Sequence, residues 1–435
     1  MILKFFTILV FLGFANIAHA QTIPEKKFTK FNSPIFALNG FSDFSAASKN
    51  QAVGFNDDEN FGNDSQFFFK TGFMTENRAK YGAVAKAEFN YKSDGQNENP
   101  NLDQAYLFSE NSFGKFELGN YQAVNQKMKI GPAKFARGAG GINGKYLENV
   151  NLPASTSSSA NIKKPQFILL AQSPVGHGGY AKNSYDRNFR ALKDDSFDGV
   201  EDATKLSYYT PRIEGLQFGV SYAPDSRSNG ITSVKYFKME DITISNILSF
   251  GANYSQDFDN LGVEISATAE KGQVKNISST SGVQRSNLAA YDFAMTLSYF
   301  GFNLGASYGS WGNSLQAKNG IYSCDYNSAA TIASQNCAGS SNKFNNPHYY
   351  TAGISYVFGP MGASITGIKS RFQNNNYDAA SLDLDYKLSK DLMPYFEVTK
   401  FAFKSNQPNA SDLTNQNIIK DNQGYVLLTG ILISF

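Results

Sequence analysis

Residues 424–435 read GYVLLTGILISF. Tyr425, Leu427, Thr429, Ile431, Ile433 and Phe435 fall on one side of a strand of period two, and Val426, Leu428, Gly430, Leu432 and Ser434 on the other. The stretch is expected to run as a strand up to Phe435. An apolar strand left as an open edge would recruit other chains, so it needs a partner. Pairing it with the first strand, drawn over residues 35–44, closes a barrel.

Composition leaves room for such a ring. The chain has 435 residues, 14% of them aromatic, with 37 Gly and 13 Pro, which fits neither a small module nor a disordered segment. A formal charge of +2, or +1 without Lys4, excludes a global basic field, so no nucleic-acid partner is expected. Residues 1–20 carry Lys4, an apolar run from Phe5 to Ala15 and a small-x-small ending at Ala18-His19-Ala20. That is the pattern of a secretory leader, and residues 21–435 are expected to form the barrel. Past the leader, no window approaches the roughly 20 apolar residues of a membrane-spanning helix. Cys324 and Cys337 lie close together in a polar stretch without CxxC spacing. Export favours their pairing as a loop staple over a metal or redox role.

The clearest strand covers residues 80–92. Tyr81, Ala83, Ala85, Ala87, Phe89 and Tyr91 alternate with Gly82, Val84, Lys86, Glu88, Asn90 and Lys92. Small apolar residues between aromatic ends suit a lipid-facing band, while Lys86 and Glu88 need water. In a soluble sandwich the same apolar face would point inward, so repetition has to decide. Seven short-turn hairpins can be drawn, with turns at 76–78, 111–114, 211–215, 257–260, 300–301, 359–361 and 389–391. With the two terminal strands they make sixteen. Seven short turns at one end and eight longer loops at the other is the asymmetry of an outer-membrane barrel. The drawn strands mostly match the roughly 9 to 11 residues of a tilted crossing. The fold class is all-β, a transmembrane antiparallel barrel wide enough to hold water. Regularity fails only over 122–202, a long segment expected to be functional.

FGKFELGNY (residues 113–121), KLSYYTPRIEGLQFGVSYAPD (205–225), the hairpin ladder and Phe435 together resemble the general porins of Gram-negative bacteria, in particular the alphaproteobacterial type. The resemblance covers essentially the whole chain after the leader. It implies a sixteen-stranded barrel, commonly a homotrimer in outer-membrane lipid and lipopolysaccharide, with the third long loop (122–202 here) folded into the lumen. It also implies that Phe435 is the signal read by the barrel-assembly machinery. The expected function is passive diffusion of small hydrophilic solutes and ions; a structural or adhesive barrel acting through its outer loops is the alternative.

A channel's chemistry is the field and width at its narrowest point. The first part of the long loop carries Lys127, Lys129, Lys134, Arg137 and Lys145, with Glu148 as its acid. Lys86, Glu88, Lys115 and Glu117 are the candidate wall residues, and the basic excess suggests an anion preference. Single charges of this kind are as readily plain solvated surface. The string Gly138-Ala139-Gly140-Gly141-Ile142-Asn143-Gly144 lacks the spacing and Lys-Ser/Thr ending of a phosphate loop, so flexible loop backbone is expected there. His177 and His348 show no nucleophile–base spacing, so neither a catalytic centre nor a metal or cofactor is expected.

Overall fold

The computed structural model describes residues 35–52, 59–92, 101–151, 154–155, 167–174, 203–226, 242–276, 286–314, 347–372, 375–404 and 419–435. The proposed leader, Cys324, Cys337 and His177 lie outside them. The strands are β1 (Ile35–Gln51), β2 (Glu59–Met74), β3 (Lys80–Lys92), β4 (Asn101–Asn111), β5 (Gly114–Asn120), β6 (Thr204–Tyr209), β7 (Leu216–Asp225) and β8 (Ile242–Phe258). They continue as β9 (Leu261–Asn276), β10 (Leu288–Tyr299), β11 (Phe302–Ser310), β12 (His348–Phe358), β13 (Met361–Phe372), β14 (Asn375–Tyr386), β15 (Leu392–Lys404) and β16 (Asn422–Ser434). Each pairs antiparallel with its sequence neighbours, and β16 pairs with β1, closing the barrel.

The seam has a defined register. Phe41 lies opposite Ser434 and Gln51 opposite Gly424. Past the end of this ladder, Gly40 and Phe435 exchange both backbone bonds, at 3.0 and 3.1 Å. A Cβ on Gly40 would stand 2.7 Å from the Phe435 ring and 2.4 Å from the Gln66 carbonyl, so only glycine fits under that ring. At the short-turn end, Phe300 and Gly301 both take positive φ, 44° and 83°, the two-residue geometry whose twist matches the flanking strands.

Alternation divides the strands into two faces. Tyr81 and Phe89 of β3 are exposed outward, while Val84 and Lys86 are buried toward the interior. In β16 the Tyr425, Ile431, Ile433 and Phe435 side is exposed, and Val426, Leu428 and Leu432 point in. The apolar face therefore looks out of the ring, the reverse of a soluble sandwich.

Strand bounds differ from the sequence expectation at the long-loop end. The first strand runs to Gln51, the second starts at Glu59 where the sequence suggested a polar loop to Asp64, and β14 starts at Asn375 instead of Ser381. Residues 373–374 are all that separate β13 from β14, so that connection is not a longer loop. The cause is a change of pattern. Up to Ala380 the outward residues of β14 are Tyr386, Leu384 and Leu382, but beyond it they are Asp378 and Asn376, while inward Asp385, Asp383 and Ser381 give way to Ala379 and Tyr377. The same exchange occurs in β15, where inward Glu397 and Thr399 are followed by Phe401 and Phe403, and outward Phe396 and Val398 by Lys400. Backbone pairing continues where the apolar outward signal stops.

Ile354 is outward and 44% exposed between Tyr350 and Tyr356 on β12. Ile354→Lys puts an ammonium in mid-band and is expected to cost about 2–4 kcal/mol, read by urea unfolding of the detergent-folded barrel; a loss below a few tenths would mean that this face does not meet hydrocarbon.

Candidate functional site

The residues after β5 turn into the barrel instead of away from it. They form a short helix α1 (Val124–Lys127) and three 3-10 turns, Pro132–Lys134, Gly141–Asn143 and Lys145–Asn149. The helix packs on β7–β9, the first turn on β11–β13, the second on β13–β15 and the third on β16 and β1. The described part of the loop thus follows the inner wall from β7 round to the seam. The opposite wall, β2–β5, presents inward Lys86, Glu88, Lys115 and Glu117.

Charge chemistry fixes this path. Four loop cations meet four inward carboxylates. Lys127 Nζ lies 2.6 Å from Glu117 on β5, and Lys129 Nζ 2.7 Å from Asp292 on β10. Arg137 forms a two-pronged pair with Asp385 on β14, its Nε donating at 3.2 Å. Lys145 Nζ lies 2.8 Å from Asp43 on β1. All four acids are under a tenth exposed. Backbone contacts add to this: Ser221 Oγ accepts from Val124 N at 3.3 Å, Asn253 donates to the Met128 carbonyl at 3.3 Å, and Glu397 accepts from Gly141 N at 3.1 Å.

Of the cations expected to attract anions, Lys127, Lys129, Arg137 and Lys145 are therefore turned to the wall and neutralised there. Lys134 differs. Its side chain is exposed, its ammonium caps the Lys129 carbonyl at 2.6 Å, and among the described residues no carboxylate lies within 4 Å of it. Crowding by wall and loop pulls the Lys134 pKa below the usual lysine range, with Glu264 opposing. Burial acts likewise on Lys129, opposed by Asp292 and reinforced by Lys134. Glu148 is half-buried in the third turn. On the opposite wall Lys86 pairs with Glu88 at 2.7 Å, Gln66 donates to Glu88 at 2.8 Å, and Lys115 reaches Glu117 at 2.8 Å. Glu117 is thus held between Lys115 and Lys127, and the Lys127 ammonium also sits over the Tyr121 ring at 4.5 Å.

The wall acids Asp43, Asp292, Asp385 and Glu397 were not singled out from sequence. Each is an acid on the inward phase of an amphipathic strand, and that phase was the signal available. Asp383 and Glu397 face each other on β14 and β15. Serines 364 and 381 donate to Asp383, each at 3.1 Å, and Thr399 to Glu397 at 2.8 Å. The glycine string is not flexible backbone, as the sequence suggested. A Cβ on Gly138 would lie 2.4 Å from that of Tyr395, so glycine lets the chain lie flat on β15.

At the long-loop end the interior is apolar, where an aqueous lumen suggested polar inner faces. Phe167, Ile168, Leu169, Leu170 and Ala171 are fully buried. Phe167 packs on Phe403 at 5.0 Å, and Trp311 on Phe372 at 5.7 Å. Ser370 donates to the Ile168 carbonyl and Trp311 Nε1 to that of Gln172, both at 2.7 Å. A further tie pairs residues 154–155 with 419–420, just before β16.

Residues 7–406 match the sequence model of the family described as Gram-negative porin. The chain belongs to the Gram-negative porins. A porin of this family is an outer-membrane channel for passive diffusion, and the closed ring with apolar exterior is its architecture. Family and fold are those of channels that do no chemistry on their solutes. Similar to this porin are an uncharacterized protein of Rickettsia bellii, 27% identical over 375 residues and 76% of each chain, and one of Rickettsia conorii, 26% identical over 350 residues and 70% of each. The anion-selective porin from Comamonas acidovorans shares the fold, with a TM-score of 0.51 at 14% identity over 93% of this chain and 100% of the other.

Two expectations follow. Asp292→Ala leaves the Lys129 ammonium buried without its acid and should cost about 3–5 kcal/mol in urea unfolding, while salt-gradient reversal potentials move toward anions; an unchanged midpoint would show that the pair does not hold the loop. Trp311, the single tryptophan and fully buried, should emit at short wavelength and resist both aqueous iodide and brominated lipid, since it faces neither solvent.

Proposed function

We propose that this porin passes small hydrophilic solutes and ions between the strapped loop and the β2–β5 wall, with a preference for anions. The supporting observation is the loop's charge pairing: once four of its cations are matched by wall acids, Lys134 is the exposed base left over among the described residues of the loop. A cation held at a constriction lowers the barrier to anions and raises it to cations. The anion-selective character of the Comamonas porin accords with this reading.

The functional unit we infer is a homotrimer, in keeping with the resemblance and with the small outward residues Ala46, Ala83, Ala85 and Ala105 on β1–β4, which suit close approach of a second copy. Outer-membrane lipid and lipopolysaccharide surround it, and Phe435, seated against Phe67 at 5.3 Å, serves as the assembly signal. The protein has no catalytic role in this reading: His348 stands at the outer end of β12 beside the Tyr350 ring, at 5.3 Å.

Stable conductance steps in planar bilayers test the channel, and their absence in a folded barrel would favour the adhesive alternative. Lys134→Gln should lower the anion preference. Because the folded-state pKa of Lys134 is lowered, its charge is lost earlier than an ordinary lysine's as pH rises, so the wild-type preference should decline on the acid side of the ordinary lysine range. A pH-independent reversal potential, or cation preference in the wild type, would defeat this assignment.

A further inference from the structure

Phe67, Phe68 and Phe69 follow one another on β2, and period two turns Phe67 and Phe69 outward and Phe68 to the interior. Phe108 on β4 is an inward ring as well, under a tenth exposed. Both stand on the wall opposite the strap. An inward ring is out of reach of hydrocarbon, so its surroundings have to explain it.

Those surroundings are basic. Lys70 Nζ stands 5.4 Å from the Phe108 centroid and Lys115 Nζ 5.8 Å, and Lys86 Nζ stands 6.0 Å from that of Phe68. Register builds a ladder from them. Phe68 lies opposite Lys86, Lys70 opposite Val84, and Gly82 opposite both Gly72 and Phe108. A Cβ on Gly82 would come within 2.6 Å of two atoms of the Phe108 ring, so that ring fills the space of the missing side chain and lies across β3. Acids share this wall. Lys80 pairs with Glu110 at 3.0 Å, Lys86 with Glu88 and Lys115 with Glu117. From the short-turn rim to the level of Gln66 and Glu88, and among inward residues whose side chains are described, Lys70 is the fourth base beside those three acids. Lys127 of the strap adds a fifth, on Glu117.

Position then decides the chemistry. Successive inward positions are about 7 Å apart along a strand. A flat solute ring laid on Phe68 therefore has Lys86 beside it and Lys70 one step toward the short-turn end, and one laid on Phe108 meets Lys70 and Lys115. Ammonium groups hold an anionic substituent as point charges, while an aromatic face favours a second ring in offset or edge contact. A small inorganic anion uses only the first of these, and a neutral aromatic only the second.

We propose that Phe68 and Phe108, with Lys70, Lys86 and Lys115, form a station on the permeation path for aromatic acids, solutes in which a planar ring carries an anionic group. It rests on the anion-passing reading above and specifies which anions dwell at that wall.

Phenyl phosphate and cyclohexyl phosphate carry the same charge on a flat and a puckered ring, and the concentration of each that halves the open-channel current in planar bilayers tests the station. Wild type should be half-blocked by the phenyl ester at about fivefold lower concentration, the scale of one ring–ring contact. F68L/F108L should bring the two values together while keeping the heat-modifiable gel shift of a folded barrel. F250L, on the outer face of β8, should keep them apart, and K70Q should raise both values. Equal block by the two esters in wild type overturns the proposal, as does a preference that survives F68L/F108L, a preference lost in F250L, or unchanged values in K70Q. Reversal potentials read the selectivity separately: an anion-preferring wild type that treats both esters alike overturns the station alone, whereas cation preference removes the reading on which it rests.

Discussion

Hydrocarbon offers no partner to a backbone amide, so a chain that crosses it in strands has to bond every strand on both sides. Here the requirement falls on one seam, β1 against β16, where eleven residue pairs from Phe41–Ser434 to Gln51–Gly424 join the two ends of the barrel. Gly40 follows from it, because the last ring of the chain has to lie across that backbone. The two-sided alternation follows as well, since a closed wall with lipid outside leaves its other face to whatever the lumen contains.

What this lumen contains is partly the protein itself. The loop after β5 is bound to the inner wall by ion pairs in which both members are largely shielded from water, and such pairs hold when both partners are present. The local excess of base in the loop is matched by acids contributed one at a time from distant strands. The field at the constriction is therefore a small remainder of large, compensating charges. The meeting of Asp383 and Glu397 beside the loop's glycine turn shows how closely charge is packed along this wall.

Period two made the ring legible in the sequence, and all sixteen strands and all seven short turns could be drawn from it. Strand ends were less legible, because at the long-loop end Phe401 and Phe403 face in while Lys400 and Lys404 face out. There the apolar outer band has ended, so the polarity rule inverts and a reader following the apolar exterior stops too early. The loop was legible as a basic segment, but its partners were not: Asp43, Asp292 and Asp385 are single acids in separate strands, and their common destination exists only after closure. Phe167 to Ala171 is an apolar run in the sequence, yet its packing partners on β13–β15 come from some 200 residues downstream.

The loop's own anchors say something about the order of assembly. Lys145 needs Asp43 from the first strand and Arg137 needs Asp385 from the fourteenth, two strands that stand on either side of the closing ladder. A half-built sheet cannot offer both at their final spacing. Docking of the strap is thus a late event that reports completion of the circle, and a barrel trapped before that stage would expose the greasy segment meant for its own mouth.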